Sequence, residues 1–473
     1  MQKPDTPPVT FDEYKKFLDD YSPEKAEAIS GCSAELIRKA AMMFAEKGKA
    51  TISMWTMGLN QRTSGVAANN LVHNLHLLTG KIGLPGSTPL SLTGQPNACG
   101  GIRDGGALSH LLPYGRLIAN EGHRKQMEEL WGVPAGTIQP KPGLTTVDLF
   151  GALAEKKIKA LLILCTNPAQ SMPNLNKYNP GLKDPDTFVV VSEAYFPTRT
   201  AELADVVLPS AAWSEKEGVY GCTERRYQLL DKAVEPQGES RTDFAILKDL
   251  ATRLGHGKLV DFKNEAEAWS ELMKCSKGTA YDFTGMTRER LKNSHGLLWP
   301  LPSEGHPGTK RRYVRGEDPL VKPDHPQRIH FYGRPDGKAW VWLRPHKLAA
   351  EMPDAEYPFV FTTGRVLEHW HTSTMTGAVP ELQKAVPQAV AEINPADAKK
   401  LGISSKDKVK ITSRRGSVVL EAKVVDVPRP GLIFSHMHDQ ETTRMINFVT
   451  NDATDPISRQ PEFKVCAVKV QKA

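Results

Sequence analysis

The 473-residue sequence predicts an α/β protein with a parallel-sheet core followed by a β-barrel domain. Two observations carry this reading. Between 156 and 210, three short apolar runs, IKALLILCTNP, TFVVVSE and ADVVLPS, each end in polar or proline residues. Continuous apolar runs of that length suit strands of a parallel sheet buried on both faces. From 354 onward the texture is β: PFVFTTGR, QAVAEINP, DKVKITSRRGSVVLEAKVVDV, GLIFSHMH and FKVCAVKV read as strands. SRRG marks a hairpin turn, and PADAKKLG is the one short helix among them. The expected division is an α/β core over 1–345 and a barrel domain over 346–473.

The elements before the sheet follow from local chemistry. Thr10 and Glu13 form a capping box, and Ser22-Pro23 reads as an N-cap followed by proline in the first helical turn. Ser33 caps the amphipathic stretch AELIRKAAMMFAEKG, closed by Gly48. ATISMWTMG is a strand with a loop at Gly58, and a helix over AANNLVHNLHLLTG stops at Gly80. Residues 81–106, rich in Gly, Pro, Ser and Thr, are too long for a simple connector and read as a functional loop. Residues 255–350 read as short connecting elements over the core.

Composition narrows the function. Hydrophobic residues make up 40% and charged residues 24%, as in ordinary globular proteins. The net charge of +7 comes from 61 basic and 54 acidic residues without a basic block. That argues against nucleic acid and suits an anionic ligand. The six cysteines contain no C-x-x-C element, so the chain carries no zinc or iron–sulfur signature, and a disulfide framework is not expected. The proline-rich opening reads as a linker rather than an export signal. No run reaches the roughly 18–20 apolar residues of a membrane span.

Three strand ends carry ligand-type side chains: Asn167, then Ser192 and Glu193, then Ser214 to Lys216. Parallel sheets bind ligands at the carboxyl ends of their strands. Asp243 falls in the first turn of the helix DFAILKDLATRLG that follows. CGGIRDGG at 99–106 follows no clear strand, so it is no Rossmann fingerprint. A flexible surface loop is one reading of it. The other is that Arg103, set among glycines, holds a small planar oxyanion. In TTGRVLEHWHTSTMTG at 362–377, His369 and His371 would point to opposite faces of a strand. A strand-end loop donating hydrogen bonds to a phosphate or heterocycle therefore accounts for this segment better than a metal site. HMHD at 436–439 reads as a pocket wall or a surface site. EKEGVYGCTERR at 215–226 is either a solvated charged loop or one that sends Lys216 to a pyrophosphate.

Several segments resemble the bis-molybdopterin guanine dinucleotide oxidoreductases, and within them the periplasmic nitrate reductases. They are WTMGLNQRTSG, LVHNLHLLTGKIG, SLTGQPNACGGIRDGG, TNPAQ, ADVVLPSAAWSEKEGVYG, TGRVLEHWHTSTMTG and NDATDPISRQPEFKVCAVKV. They run in the family's order, and GQPNACGGIRDGG looks like nitrate reductases rather than formate dehydrogenases. The resemblance implies a barrel of double-psi type. It implies cofactor contacts from Met57, Gln61, Asn167, Ser192, Glu193, Lys216 and Asp243. It extends these to Thr363, Gly364, Arg365, Val366, Leu367, Glu368, His369, Trp370, His371 and Thr372, and to Asn447 and Lys464. Arg103 matches the arginine that orients nitrate beside the molybdenum. Two positions depart from the family. Met437-His438 stands where an aromatic pair lines the substrate channel, and Glu193 stands where aspartate is usual.

The implied reaction is oxygen-atom transfer from nitrate to reduced molybdenum, releasing nitrite. Formate or another oxyanion on the same scaffold, or a non-catalytic pterin-binding remnant, are the alternatives. The family's cysteine run for a 4Fe-4S cluster and its metal-ligating cysteine match nothing here. The chain is therefore expected to supply no metal ligand and to be inactive alone, with a possible separate N-terminal chain. The resemblance also implies a cytochrome-type electron donor and a periplasmic location.

Overall fold

The structure is a computed structural model describing residues 9–334 and 336–473. Three helices lead the chain. In α1 (Phe11–Leu18), Glu13 N–H donates to Thr10 Oγ1 at 3.2 Å and Thr10 N–H to the Glu13 carboxylate at 2.8 Å, closing the expected capping box. Ser22 caps α2 (Pro23–Ser30) and Ser33 caps α3 (Ala34–Ala45). α3 stops short of Gly48. Buried Lys81 reaches back instead and donates to the Glu46 and Lys49 carbonyls at 2.9 and 2.7 Å, satisfying acceptors that a helix end leaves open.

β1 (Ile52–Trp55), α4 (Gly65–Leu78) and β2 (Thr88–Ser91) form one βαβ unit, with Ile52 opposite Thr88 in a parallel register. α4 covers one face of β1. Trp55 Nε1 donates to Asn69 Oδ1 at 2.8 Å, and His76 Nε2 shares a hydrogen bond with Ser53 Oγ at 2.9 Å. The stretch 81–106 is thus not one long loop. It holds β2 and then a wide helical turn, Ala98–Asp104, in which Gly105 N–H donates to the Gly100 carbonyl at 2.7 Å. CGGIRDGG does not directly follow β2, since residues 92–98 intervene, and Gly100 serves close packing rather than flexibility. A Cβ on Gly100 would lie 2.2 Å from Asn97 Oδ1 and 2.9 Å from the Gly221 nitrogen.

The three apolar runs become β3 (Ala160–Leu164), β4 (Phe188–Glu193) and β5 (Val206–Pro209), parallel and adjacent in that order. They pack against α5 (Thr146–Ala154) and α6 (Leu175–Leu182) through Leu153, Leu175, Tyr178, Val189 and Val191, all essentially inaccessible. The expectation of burial on both faces fails. Leu164, Phe188 and Val206 on the opposite face are 37%, 52% and 38% exposed.

β6 (Gly218–Gly221) and β7 (Arg226–Leu230) make a hairpin that Leu297–Leu298 extends. α7 (Asp243–Ala251) and α8 (Glu265–Ser276) follow the hairpin. The stretch 255–350 is more than connection. Trp269, Phe283, Met286, Leu291, Trp299 and Leu301 join Leu112, Tyr114 and Tyr227 in a second, aromatic core. Sequence periodicity misses it because its contributors come from short segments far apart in the chain.

The last six strands close a barrel: β8 (Phe359–Gly364), β9 (Val390–Ile393), β10 (Lys408–Thr412), β11 (Ser417–Val424), β12 (Leu432–His436) and β13 (Cys466–Lys472). Around the barrel they run β8, β12, β9, β11, β10, β13. The β8–β12 and β9–β11 pairs are parallel and the others antiparallel. Alternate residues point inward, so Phe361, Ala391, Ile393, Val409, Ile411, Leu420, Ile433 and Val468 are all 0% exposed. The α/β class and the barrel are as the sequence predicts.

Leu420→Ala should destabilise the protein by about 2–5 kcal/mol, because the closed barrel cannot collapse around the lost volume. Val419→Ala, on the outer face of the same strand, should stay within about 0.5 kcal/mol. Chemical denaturation of the two variants checks this, and equal costs would contradict the inward–outward assignment.

Candidate functional site

Two sets of strand ends build the candidate site. At the carboxyl ends of β3, β4 and β5 stand Cys165, Ser192 with Glu193, and Ser210. Cys165 Sγ lies 3.7 Å from Ser210 Oγ and 3.6 Å from Asp243 Oδ1, and Lys216 Nζ donates to Asp243 Oδ2. Burial pushes the Cys165 thiol up to about 11, with Asp243 adding to the rise. Burial also raises Glu193, against the pull of the Ala194 and Tyr195 amides and with Asp243 adding to the rise. Ser192 Oγ is buried without a hydrogen-bond partner. Such a group is costly unless something completes it. The strand ends therefore bring together the Glu193 carboxylate, the Asp243 carboxylate with Lys216 beside it and an unsatisfied hydroxyl, a set suited to the edge of a hydrogen-bond-donating base.

Ser192, Glu193, Lys216 and Asp243 thus come together as expected. Ser214 does not end a strand: Trp213–Glu215 is a helical turn, and the third strand leads to Ser210. Lys216 is committed to Asp243 rather than free for a pyrophosphate. Asn167 is not aimed into the crevice either. Its Oδ1 accepts from Thr200 N–H at 3.1 Å and Thr200 Oγ1 at 2.7 Å, and its Nδ2 donates to Gln170 Oε1 at 3.0 Å. Sequence reasoning missed Ser210 and Cys165, although both lie in the quoted strand-end runs.

The second set sits where β8 ends. Thr363 Oγ1 donates to the Phe463 carbonyl at 3.0 Å, and Lys464 Nζ donates to the Thr363 carbonyl at 2.6 Å. Arg365 reaches only the Gly364 carbonyl, at 3.4 Å. Among the described residues neither Arg365 nor Lys464 forms an ion pair. Burial and the neighbouring Arg365 push Lys464 down to about 8, and burial with Arg365 pushes His371 down to about 4. Uncompensated cations around exposed backbone at a strand end fit an anion.

The loop beyond is not a strand, so the opposite-faces argument for His369 and His371 does not apply. His369 is buried, its Nδ1 sharing a hydrogen bond with Thr376 Oγ1 at 3.1 Å and its Nε2 with the Val386 carbonyl at 2.8 Å. His371 adopts a left-handed backbone at φ 49°. Thr372 is buried, while Leu367 and Trp370 project into solvent and Val366 and Glu368 are half-buried.

His436 and His438 are buried rather than at the surface. The His438 ring stacks on His369 at 4.5 Å, and burial with the two neighbouring imidazoles pushes it down to about 4. A cavity of about 380 Å³ lies beside it, lined by Tyr195, Ser373, Thr374, Asp439, Gln440 and Arg444 among others. It connects the loop after β4 with the loop after β12. Met437 packs against the barrel core. Asn447 is buried and donates to the Gln170 carbonyl at 2.8 Å. These two side chains therefore hold structure.

Arg103 is held firmly. Its Nε and Nη2 donate to Asp104 at 2.6 and 2.9 Å, and Asp104 also accepts from Tyr227 Oη at 2.7 Å. Burial disfavours the Arg103 charge, but the Asp104 carboxylate outweighs it and holds the pKa above its ordinary value. The guanidinium lies 5.5 Å from the Trp299 ring centroid, and Arg225 and Arg312 approach the same ring at 5.5 and 4.9 Å. Asp104 was visible beside Arg103 in the sequence, but nothing in the sequence marked Tyr227 or Trp299. Met57 opens a single helical turn at the carboxyl end of β1, and Gln61 caps it. The loop after β2 meets the loop after β8 where Gly94 approaches Trp370.

Lys464 gives a pH test. A lysine lowered from 10.5 to about 8 in the fold binds fewer protons than in the unfolded chain between those values. Its contribution to stability is full above 10.5 and lost as pH falls through 8. Stability of the parent relative to Lys464→Met should therefore rise between pH 8 and 10.5 in denaturant titrations. A flat difference would refute the unpaired burial of this cation.

Comparison with known proteins now bears on the site. Residues 21–253 match the family described as molybdopterin oxidoreductase, and residues 359–467 the one described as molydopterin dinucleotide binding domain. A Desulfovibrio desulfuricans protein named periplasmic nitrate reductase is 55% identical over 467 residues, 98% of this chain and 62% of that protein. A Symbiobacterium thermophilum protein named nitrate reductase is 52% identical over 469 residues, 98% and 61% respectively. The chain thus spans about three fifths of the length of these relatives. Acetylene hydratase from Pelobacter acetylenicus shares the fold, with a TM-score of 0.71 at 20% identity over 98% of this chain and 66% of that one. With both domain types matched in order and close relatives along nearly its full length, the chain belongs to the molybdopterin oxidoreductase family.

Proposed function

We propose that this chain is the dinucleotide-holding and nitrate-orienting part of a molybdenum nitrate reductase. The observation that carries the cofactor assignment is the Arg365–Lys464 pair, two cations without a counter-ion among the described residues, at the end of a barrel strand. A pyrophosphate would neutralise both. In the crevice, the Asp243 and Glu193 carboxylates and the Ser192 hydroxyl would meet a guanine, which presents N–H donors where adenine presents an acceptor. The cavity between the β4 and β12 loops gives the rest of the ligand room. This assigns bis-molybdopterin guanine dinucleotide as the cofactor. The bound molybdenum would supply the two-electron oxygen-acceptor chemistry that turns nitrate into nitrite.

In this reading Arg103 orients nitrate. Asp104 holds its Nε and Nη2, so Nη1 is left to face an oxyanion with the fork already fixed, which limits reorganisation on binding. The protein contributes position and electrostatics. The metal's own ligand and a 4Fe-4S cluster would come from polypeptide outside this chain, and electrons from a cytochrome-type donor. A periplasmic site of action and a role in nitrate assimilation belong to the same proposal. Among the described residues no helix is long and apolar enough to cross a membrane.

Calorimetric titration with guanosine and adenosine diphosphates tests the crevice directly. GDP should bind about tenfold or more tighter than ADP, a difference of about 1.4 kcal/mol, and Asp243→Asn should erase it. Equal affinities would refute the base assignment. The purified chain given molybdenum cofactor, nitrate and a reduced viologen should form no nitrite. Turnover would overturn the division of labour proposed here.

A further inference from the structure

The charged segment CTERR at 222–226 is only in part a solvated loop. It forms the turn between β6 and β7, where Arg225 N–H donates to the Cys222 carbonyl at 3.1 Å and Cys222 N–H to the Arg226 carbonyl at 3.0 Å. Arg226 pairs with Glu224. Arg225 takes a left-handed backbone at φ 69°, a conformation that costs a non-glycine residue free energy and that clusters at functional sites. Its side chain turns into the protein. Nη1 donates to the Trp299 carbonyl, and Nη2 to the Thr309 and Lys310 carbonyls at 3.1 and 3.2 Å. Among the described residues Arg225 forms no ion pair.

The ring of Trp299 gathers three guanidiniums. Arg103 and Arg225 each lie 5.5 Å from its centroid, and Arg312 lies at 4.9 Å. Two buried carboxylates answer them, Asp104 for Arg103 and Asp318 for Arg312. Burial pushes the Tyr227 and Tyr281 phenols upward, so both neighbours stay neutral. Arg311 pairs with Glu317, and Lys310 projects into solvent, where its charge is screened. The cluster therefore keeps one surplus positive charge. Burial, with Arg312 beside it, pushes Arg225 down to about 10. Unbalanced charge held away from water is costly. Arg103, its side chain 38% exposed against 12% for Arg312, gives an incoming ion access.

We propose that Arg225 is a specificity-determining residue, supplying the surplus charge that makes this cluster take a monoanion rather than a dianion. The proposal rests on the reading of Arg103 as the nitrate-orienting group. One negative charge at Arg103 brings the cluster to neutrality. A dianion would replace surplus positive charge by an equal surplus of negative charge, and would give up a larger hydration free energy to do so. Oxyanions of a single charge, such as nitrate and chlorate, are the class admitted, and sulfate stands for the class turned away. Arg225 acts through its charge on an ion that Arg103 holds.

Calorimetric titration of the full chain with sodium nitrate, chlorate and sulfate at one ionic strength tests this. Only binding that Arg103→Gln abolishes is counted, which sets aside anions held at Arg365 and Lys464. Nitrate and chlorate should bind about tenfold or more tighter than sulfate. Arg225→Gln should weaken nitrate about tenfold, and Arg225→Lys should restore most of that loss. Asp318→Asn leaves Arg225 in place and adds one positive charge, so it should strengthen sulfate more than nitrate and narrow the preference. Near-ultraviolet circular dichroism checks the fold of each variant. An arginine that only tied chain segments together would leave the selectivity of Asp318→Asn at the parent value. Arg103-dependent nitrate binding without preference over sulfate, or with a preference that Asp318→Asn does not move, would overturn the proposal and leave the nitrate reading standing. Nitrate binding indifferent to Arg103 would overturn both.

Discussion

One buried amide ties the two halves of the candidate site together. Gln170, 1% exposed, lies in the turn after β3. Its Nε2 is 3.0 Å from the Asp439 carbonyl and 3.3–3.4 Å from those of His438, Met437 and Thr372. Two protons are shared among four acceptors, which pins both barrel loops to one point. Its Oε1 accepts from Asn167 and its own carbonyl from Asn447. The end of the parallel sheet, the loop after β8 and the loop after β12 therefore move as one unit. A network like this is stiff only while fully satisfied. That explains why Asn167 and Asn447, read from the resemblance as cofactor contacts, turn inward here. They hold the frame on which a ligand would sit.

Charge is handled in two ways. Where stability is at stake, ions are paired: Glu351 takes a bidentate contact from Arg415 and an N–H from Ala467 at 2.8 Å, bracing the barrel. Asp318 accepts from Arg312, and Asp104 from Arg103. Around Trp299 three guanidiniums meet two carboxylates, and burial together with Arg312 pushes Arg225 down to about 10. Among the described residues Arg365 and Lys464 stand without a counter-ion at a strand end, whereas the unpaired buried Lys81 and Arg116 are satisfied by backbone carbonyls. Electrostatic strain of this kind is released by an anionic ligand.

The barrel and the parallel sheets are covered differently. The barrel abolishes its sheet edges by closure and buries most of its inward side chains. The two parallel sheets are each covered on one face only.

The sequence was informative wherever local physics dominates. Thr10, Ser22 and Ser33 act as caps because a side chain and its partner amide lie within one turn. The strands of the sheet and barrel were readable because residues two apart share a face. Glu193, Lys216 and Asp243 were found by their positions beyond strand ends and in a helix's first turn, which sequence shows directly. Other features depend on residues that meet only after folding. The Tyr227–Asp104–Arg103 chain joins positions 123 apart and a neighbour, and Lys81 closes a helix that ended well before it. Whether a strand has one face covered or two depends on packing against distant chain, so runs such as TFVVVSE look alike in either case. Local periodicity decided which segments are strands and helices. Long-range packing and the satisfaction of buried polar groups decided which side chains are left unsatisfied at the strand ends and which hold the frame.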